Sequence, residues 1–175
     1  MLLGVCAGMY EQRVFAVPFV NEIAKITASD ETADDFFGWL VDVDDGTAIS
    51  GKFSLAPGAA YLFDMTTMQQ THRLTVPGVT TGDYFGSVVS ISGNTAVVGA
   101  PGDTALGTPP PGGIYSFNVV TGVENGLGNI TPTDSASGDE FGFSLAQDGN
   151  SAMVGATQGG TIAGAAYLMN VSTGT

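Results

Sequence analysis

The chain has 175 residues, 43% of them hydrophobic, which is enough apolar material for a core and excludes a disordered segment. Seventeen acids against four bases give a formal net charge of −13, and the four bases (Arg13, Lys25, Lys52, Arg73) all lie in the first 73 residues. Phosphate backbones and anionic lipid surfaces are held by Lys and Arg, so nucleic acid and membrane are excluded as partners.

The opening "MLLGVCAGMY" is apolar but too short to span a bilayer, and it has neither the basic start nor the small-residue cleavage site of a secretory signal. Cys6, the single cysteine, reads as a buried, inert thiol in this apolar run. "LLGVCAG" from Leu2, "RVFAVPF" from Arg13 and "AKIT" from Ala24 match the second, third and fourth strands of the units that follow. Residues 1–25 are therefore expected to begin inside a unit.

From residue 26 onward the sequence repeats. Phe37-Gly38, Phe85-Gly86 and Phe141-Gly142 are spaced 48 and 56 residues apart, each preceded by an aspartate, assigned as Asp34, Asp83 and Asp139. A two-residue turn follows each pair, at Asp45, Gly93 and Gly149, of the kind that closes a β-hairpin because Gly, Asn and Asp tolerate positive φ. The next strands read "TAISG" from Thr47, "TAVVGA" from Thr95 and "SAMVGA" from Ser151. After a loop of variable length come "GAAYLFD" from Gly58, "GGIYSFN" from Gly112 and "GAAYLMN" from Gly164, then a short fourth strand at "HRLTV" from His72 and "GNITP" from Gly128.

Each unit is thus expected to be a four-stranded antiparallel meander. The near-continuous apolar run of its first two strands suits a sheet covered on both faces, and repeated sheets of this type cover one another by stacking as the blades of a β-propeller. The expected division is a partial blade over 1–25 (strands 2 to 4), and units over 26–73, 74–129 and 130–175. The last unit lacks its fourth strand, so the array is incomplete at both ends.

These residues resemble the FG-GAP repeat family, whose β-propellers occur in integrin α subunits and bacterial surface proteins. The full pattern appears once, as Phe85-Gly86 with Gly99-Ala100-Pro101, while Gly155-Ala156-Thr157 and Gly51-Lys52 are degenerate versions of its second half. The resemblance implies an all-β propeller and, in metal-binding members, a calcium loop between the first two strands. "SISGNT" and "AQDGNS" are too short and too poor in carboxylates for calcium, and "DVDDG" has Asp42, Asp44 and Asp45 with Gly46 where a further ligand belongs. The chain therefore resembles the short, metal-free bacterial type, with no cofactor expected.

No enzyme is expected. Three aspartates spread around an axis cannot converge on one substrate, and an Asp ahead of a strand accepts backbone N–H bonds and fixes the turn. His72, the single histidine, has no Gly-x-Ser-x-Gly elbow or metal-ligand partner. "GTPPPGG" from Gly107 reads as a stiff spacer, and Asn129 and Asn170 head the two Asn-x-Ser/Thr sequons, glycan acceptors only in an exported protein. The expected function is a structural or adhesive protein at the cell exterior or cell surface, self-assembling by strand exchange. On that reading Ala24 to Ala28 fill the vacancy beside the Tyr167 strand of the next molecule. The alternative is a module of a larger cell-surface protein that binds a glycan or protein ligand, completed by the remainder of a longer propeller chain.

Overall fold

In the computed structural model, the residues described are 22–53, 57–80, 82–102, 111–157 and 163–175. The strands expected from Leu2 and Arg13, Cys6, and the proline loop from Gly107 to Pro110 lie outside them. Three antiparallel sheets are built in chain order, and there is no helix among the described residues. The first contains β1 (Val41–Asp44), β2 (Thr47–Lys52), β3 (Ala59–Asp64) and β4 (Gln69–Leu74). The second contains β5 (Val88–Ser92), β6 (Thr95–Ala100) and β7 (Gly113–Asn118), and the third β8 (Ser144–Asp148), β9 (Ser151–Ala156) and β10 (Ala165–Asn170).

The hairpins form where the turn residues allow them. Asp45 and Gly46 both take positive φ, 43° and 75°, as a type I′ turn demands, while Gly93 and Gly149 carry positive φ, 55° and 56°, at the first turn position. Register follows directly: Asp44 pairs with Thr47, Ser92 with Thr95 and Asp148 with Ser151. The fourth strand is complete only in the first sheet. In the middle unit the expected "GNITP" strand is reduced to isolated bridges, Ile114 with Ile130 and Phe117 with Glu124. Gly126 and Gly128 are held at positive φ and Pro132 has no N–H to donate, so a continuous ladder cannot form there.

The sheets stack face to face as propeller-type blades, with the first strands β1, β5 and β8 lying beside one another. One core cluster fills the space between the first two sheets, where Ile49, Ala60, Leu62 and Leu74 meet Phe85, Val89, Ile91, Val98 and Phe117. A second lies between the next two, joining Val97, Ile114 and Ile130 to Phe141, Val154, Met169 and Val171. The middle sheet is therefore buried on both faces, which is why β6 reads as an unbroken apolar run. β9 instead alternates exposed and buried side chains, because only one of its faces is covered. On the outer face of the first sheet, residues 24–28 form no strand within their own chain, but Ala28 is buried with Ala59, Tyr61 and Phe63.

Candidate functional site

The Phe-Gly turns have one construction. Asp35 accepts N–H bonds from Thr32 and Phe37, Asp83 from Thr80, and Asp139 from Ala136, each closing a loop onto the residue three positions back. In the first unit this role belongs to Asp35, two residues before Phe37, and not to the assigned Asp34; Asp34 is exposed and holds φ at 62°. The residue after each of these aspartates, Phe36, Tyr84 and Glu140, is forced to positive φ, an unusual conformation for bulky side chains. The Phe then packs on aromatic residues of its own third strand: Phe37 on Tyr61 and Phe63, Phe85 on Tyr115 and Phe117, and Phe141 on Tyr167. The Gly donates its N–H to the glycine of the second strand, Gly38 to Gly51, Gly86 to Gly99 and Gly142 to Gly155.

Lys52 replaces an alanine found in the other two units, and its ammonium lies 3.2 Å from the Asp35 carboxylate and donates to the Asp30 carbonyl at 2.7 Å. Arg73 and the Tyr61 hydroxyl reach Asp30 at 3.1 and 2.5 Å. Burial by itself raises the Asp35 pKa, but the N–H bonds of Thr32 and Phe37 and the Lys52 ammonium outweigh it and hold the carboxyl below its usual range. For Asp30 burial is likewise outweighed, by Tyr61, Lys52 and Arg73. Burial, and then the bond to Asp30, push Tyr61 up to about 12. This cluster is closed on itself and clamps residues 30–35 to the first sheet.

The acidic turn is also structural. Asp42 accepts from Val43 N through one oxygen and from Ser90 Oγ and Ile91 N through the other, and Asp44 accepts from Gly93 N. Both thereby fasten the first sheet to the second, and Ser92 fastens the second to the third through Gly149 N. Asn170 caps the turn after β10, accepting from Ser172 and Thr173, as Asn118 and Asp64 do after β7 and β3. Asn129 is exposed, with its side chain laid against Gly113, and His72 packs on Gly122 of the following unit. These caps and latches escaped the sequence reading; the recurrence of Asp or Asn at the end of each third strand was the available sign.

One cavity has the make-up of a binding site. It measures about 450 Å³ and is lined by Trp39, Phe53, Tyr84, Ser87, Phe143 and Glu140, among others. Trp39, Ser87 and Phe143 occupy the same position, one after the Phe-Gly pair, in three successive units. The small middle residue between two large exposed aromatics leaves the hollow. Phe53 is the centre of an aromatic cluster, stacked on Phe36 at 5.2 Å and edge-on to Trp39 and Tyr84 at 5.6 and 5.9 Å. The Ser87 hydroxyl is buried without a hydrogen-bond partner among the described residues, and Glu140 offers a carboxylate whose Oε2 also accepts from Thr157 Oγ1.

Among the described residues, no three His, Cys, Asp or Glu side chains are grouped so as to hold a metal ion. No curated protein matches the chain. The FG-GAP repeat matches it in three segments, residues 20–63, 68–117 and 127–169, each bringing together a Phe-Gly turn and the strands that pack on it. By that match over most of its length, the chain belongs to the FG-GAP repeat family.

Proposed function

We propose that the chain is a non-enzymatic module of the cell exterior, a structural or adhesive propeller-type protein whose point of attachment is the aromatic cavity. The occurrence of FG-GAP repeats in extracellular and cell-surface proteins supports this setting. Asp35 and Asp83 are spent on their own turns and Asp42 and Asp44 on the second sheet, and the convergence of aromatic rings, a hydroxyl with no partner among the described residues and a carboxylate in one cavity is the feature that favours binding. The single observation that carries the reading is the Ser87 Oγ on the wall of that cavity, which has no partner among the described residues, since a buried hydroxyl without a partner is stabilised when a ligand supplies one.

The ligand class is a saccharide. Sugar rings present a C–H face that packs flat on an aromatic side chain and hydroxyls that bond to groups such as Ser87 and Glu140. Trp39 is the only tryptophan and is exposed at the rim, so its fluorescence reports occupancy directly. Titration with a panel of soluble oligosaccharides is expected to shift that emission, and Phe143→Ala and Ser87→Val are expected to weaken binding by about tenfold each. An unchanged spectrum across neutral, acidic and amino sugars would reject the saccharide reading. A shift produced by peptides alone would assign the cavity to a protein ligand.

A further inference from the structure

We propose that the occupant of the aromatic cavity is an amino sugar held through its protonated amine, with Glu140 as the residue that selects it. The proposal rests on the saccharide reading of that cavity and adds the charge of the sugar. Two rows of equivalent residues meet there. One is Trp39, Ser87 and Phe143, directly after each Phe-Gly pair, and the other is Phe36, Tyr84 and Glu140, directly before it. In the second row the first two units supply rings, both packed on Phe53, and the third supplies a carboxylate on the cavity wall.

The turn itself does not ask for a glutamate at that place. Phe36, Tyr84 and Glu140 hold nearly the same positive φ, 53°, 51° and 54°, so the backbone takes one strained shape whether the side chain is a ring or a carboxylate. The hydrogen bond that closes the turn is accepted by Asp139, from Ala136 N, and not by the Glu140 side chain. Glu140 Oε2 instead accepts from Thr157 Oγ1, a hydroxyl that orients the carboxylate without neutralising it. The group is half-buried on a largely apolar wall, and no Lys, Arg or His stands beside it among the described lining residues.

The described cations are engaged elsewhere. Lys52 immediately precedes Phe53, yet its ammonium lies 3.2 Å from Asp35 and 3.6 Å from Asp30, and Arg73 lies 3.1 Å from Asp30. Lys25 lines the separate groove over Phe37 and Val41. A negative charge beside aromatic faces is therefore left for a ligand to balance. Ring faces attract cations, tryptophan most strongly, and an ammonium donating to a carboxylate makes a hydrogen bond about twice as strong as a neutral one. A neutral or N-acetylated sugar offers Glu140 only hydroxyl or amide donors, and an acidic sugar is repelled. The net charge of −13 draws cations toward the whole surface, and the cavity adds the local partner. An amino sugar matches each part: a C–H face for the rings, an ammonium for Glu140 and a hydroxyl for Ser87.

Trp39 emission tests this in titrations with glucosamine, N-acetylglucosamine and glucose oligomers of one length and linkage. The glucosamine oligomer is expected to bind at least about tenfold more tightly than either of the others at low salt, and that lead should shrink as salt is added. Glu140→Gln keeps an oxygen for Thr157 and loses the charge, with circular dichroism checking its fold; it is expected to bring the three affinities within about threefold of one another. Asp148→Asn removes the same charge from an exposed hairpin end that does not line the cavity, and should keep the glucosamine preference. Equal affinities of the parent for the three oligomers would overturn the inference and leave the saccharide reading standing. A preference that survives Glu140→Gln, or is lost equally in Asp148→Asn, would deny Glu140 its selecting role and overturn the inference too. Emission indifferent to every sugar would remove both readings, and a shift with oligolysine would then assign the cavity to a basic peptide.

Discussion

A Cβ on Gly99 would stand 2.6 Å from the carbonyl oxygen of Gly142, the glycine of the next Phe-Gly pair, and one on Gly51 would overlap the carbonyl oxygen of Gly86. The repeated glycine of the second strand is therefore a packing requirement between sheets. Replacing Gly by Ala in a strand stiffens the unfolded chain and gains about 0.4–1 kcal/mol, but forcing a methyl into a fixed carbonyl costs about 1–3 kcal/mol. The clash wins. Gly51→Ala and Gly99→Ala should each lower the urea-unfolding free energy, while Gly155→Ala, whose one close clash is with the rotatable Ser144 hydroxyl, should change it by less than about 1 kcal/mol. Equal losses at all three would mean that the glycines do not act through stacking.

Phe85 and Phe141 are fully buried between successive sheets, whereas Phe37, the first of the three, is half-buried. Truncation of the first two should cost about 3–5 kcal/mol each, as for other large core aromatics, and Phe37→Ala about half of that. Thermal unfolding of the three alanine variants checks the order. A Phe37→Ala variant as damaged as Phe85→Ala would show that its outer side is already covered in the isolated chain.

How much of this was legible in the residues depends on whether partners lie near in sequence. The Phe-Gly register and the Asp45, Gly93 and Gly149 turns were readable because each is a local pattern repeated three times. Asp34 and Asp35 stand side by side, so the adjacent pair is ambiguous in the sequence; two residues back from Phe37 is Asp35, and the bonds from Thr32 and Phe37 assign the role to it. The partners of Asp42 and Asp44 are not legible in the sequence because Ser90, Ile91 and Gly93 lie almost fifty residues downstream. The cavity was hidden for the same reason. Trp39, Ser87 and Phe143 become neighbours only when three units are stacked, although aligning that one position across the units would have shown a small residue between two large ones.

The role of Asp42 makes a prediction about metal. Both of its carboxylate oxygens already accept hydrogen bonds, from Val43 N on one side and from Ser90 Oγ and Ile91 N on the other. Asp42→Ala strips the buried Ile91 N–H of its acceptor and should cost about 1–3 kcal/mol. Calcium or a chelator should leave the melting temperature of the parent unchanged. A calcium-dependent rise in melting temperature that vanishes in Asp42→Ala would instead make this turn a metal loop.

The Asp35 carboxylate makes a prediction about acid. Its pKa in the folded chain is depressed, against an unfolded value of about 4, so its contribution is present above that value and is lost as the pH falls through the lower folded value. Asp35→Asn keeps the shape of the side chain but leaves Lys52, itself buried, with Asp30 as its remaining carboxylate partner and weakens the acceptors for Thr32 and Phe37. At neutral pH the variant should be less stable by about 2–3 kcal/mol, and between pH 5 and 2 the gap should narrow as the parent loses what the variant already lacks. Urea titrations at several pH values measure this directly. A constant gap down to the lowest pH would place the acid sensitivity in other carboxylates and deny Asp35 its electrostatic role, leaving only the geometry of the turn to explain why the aspartate recurs.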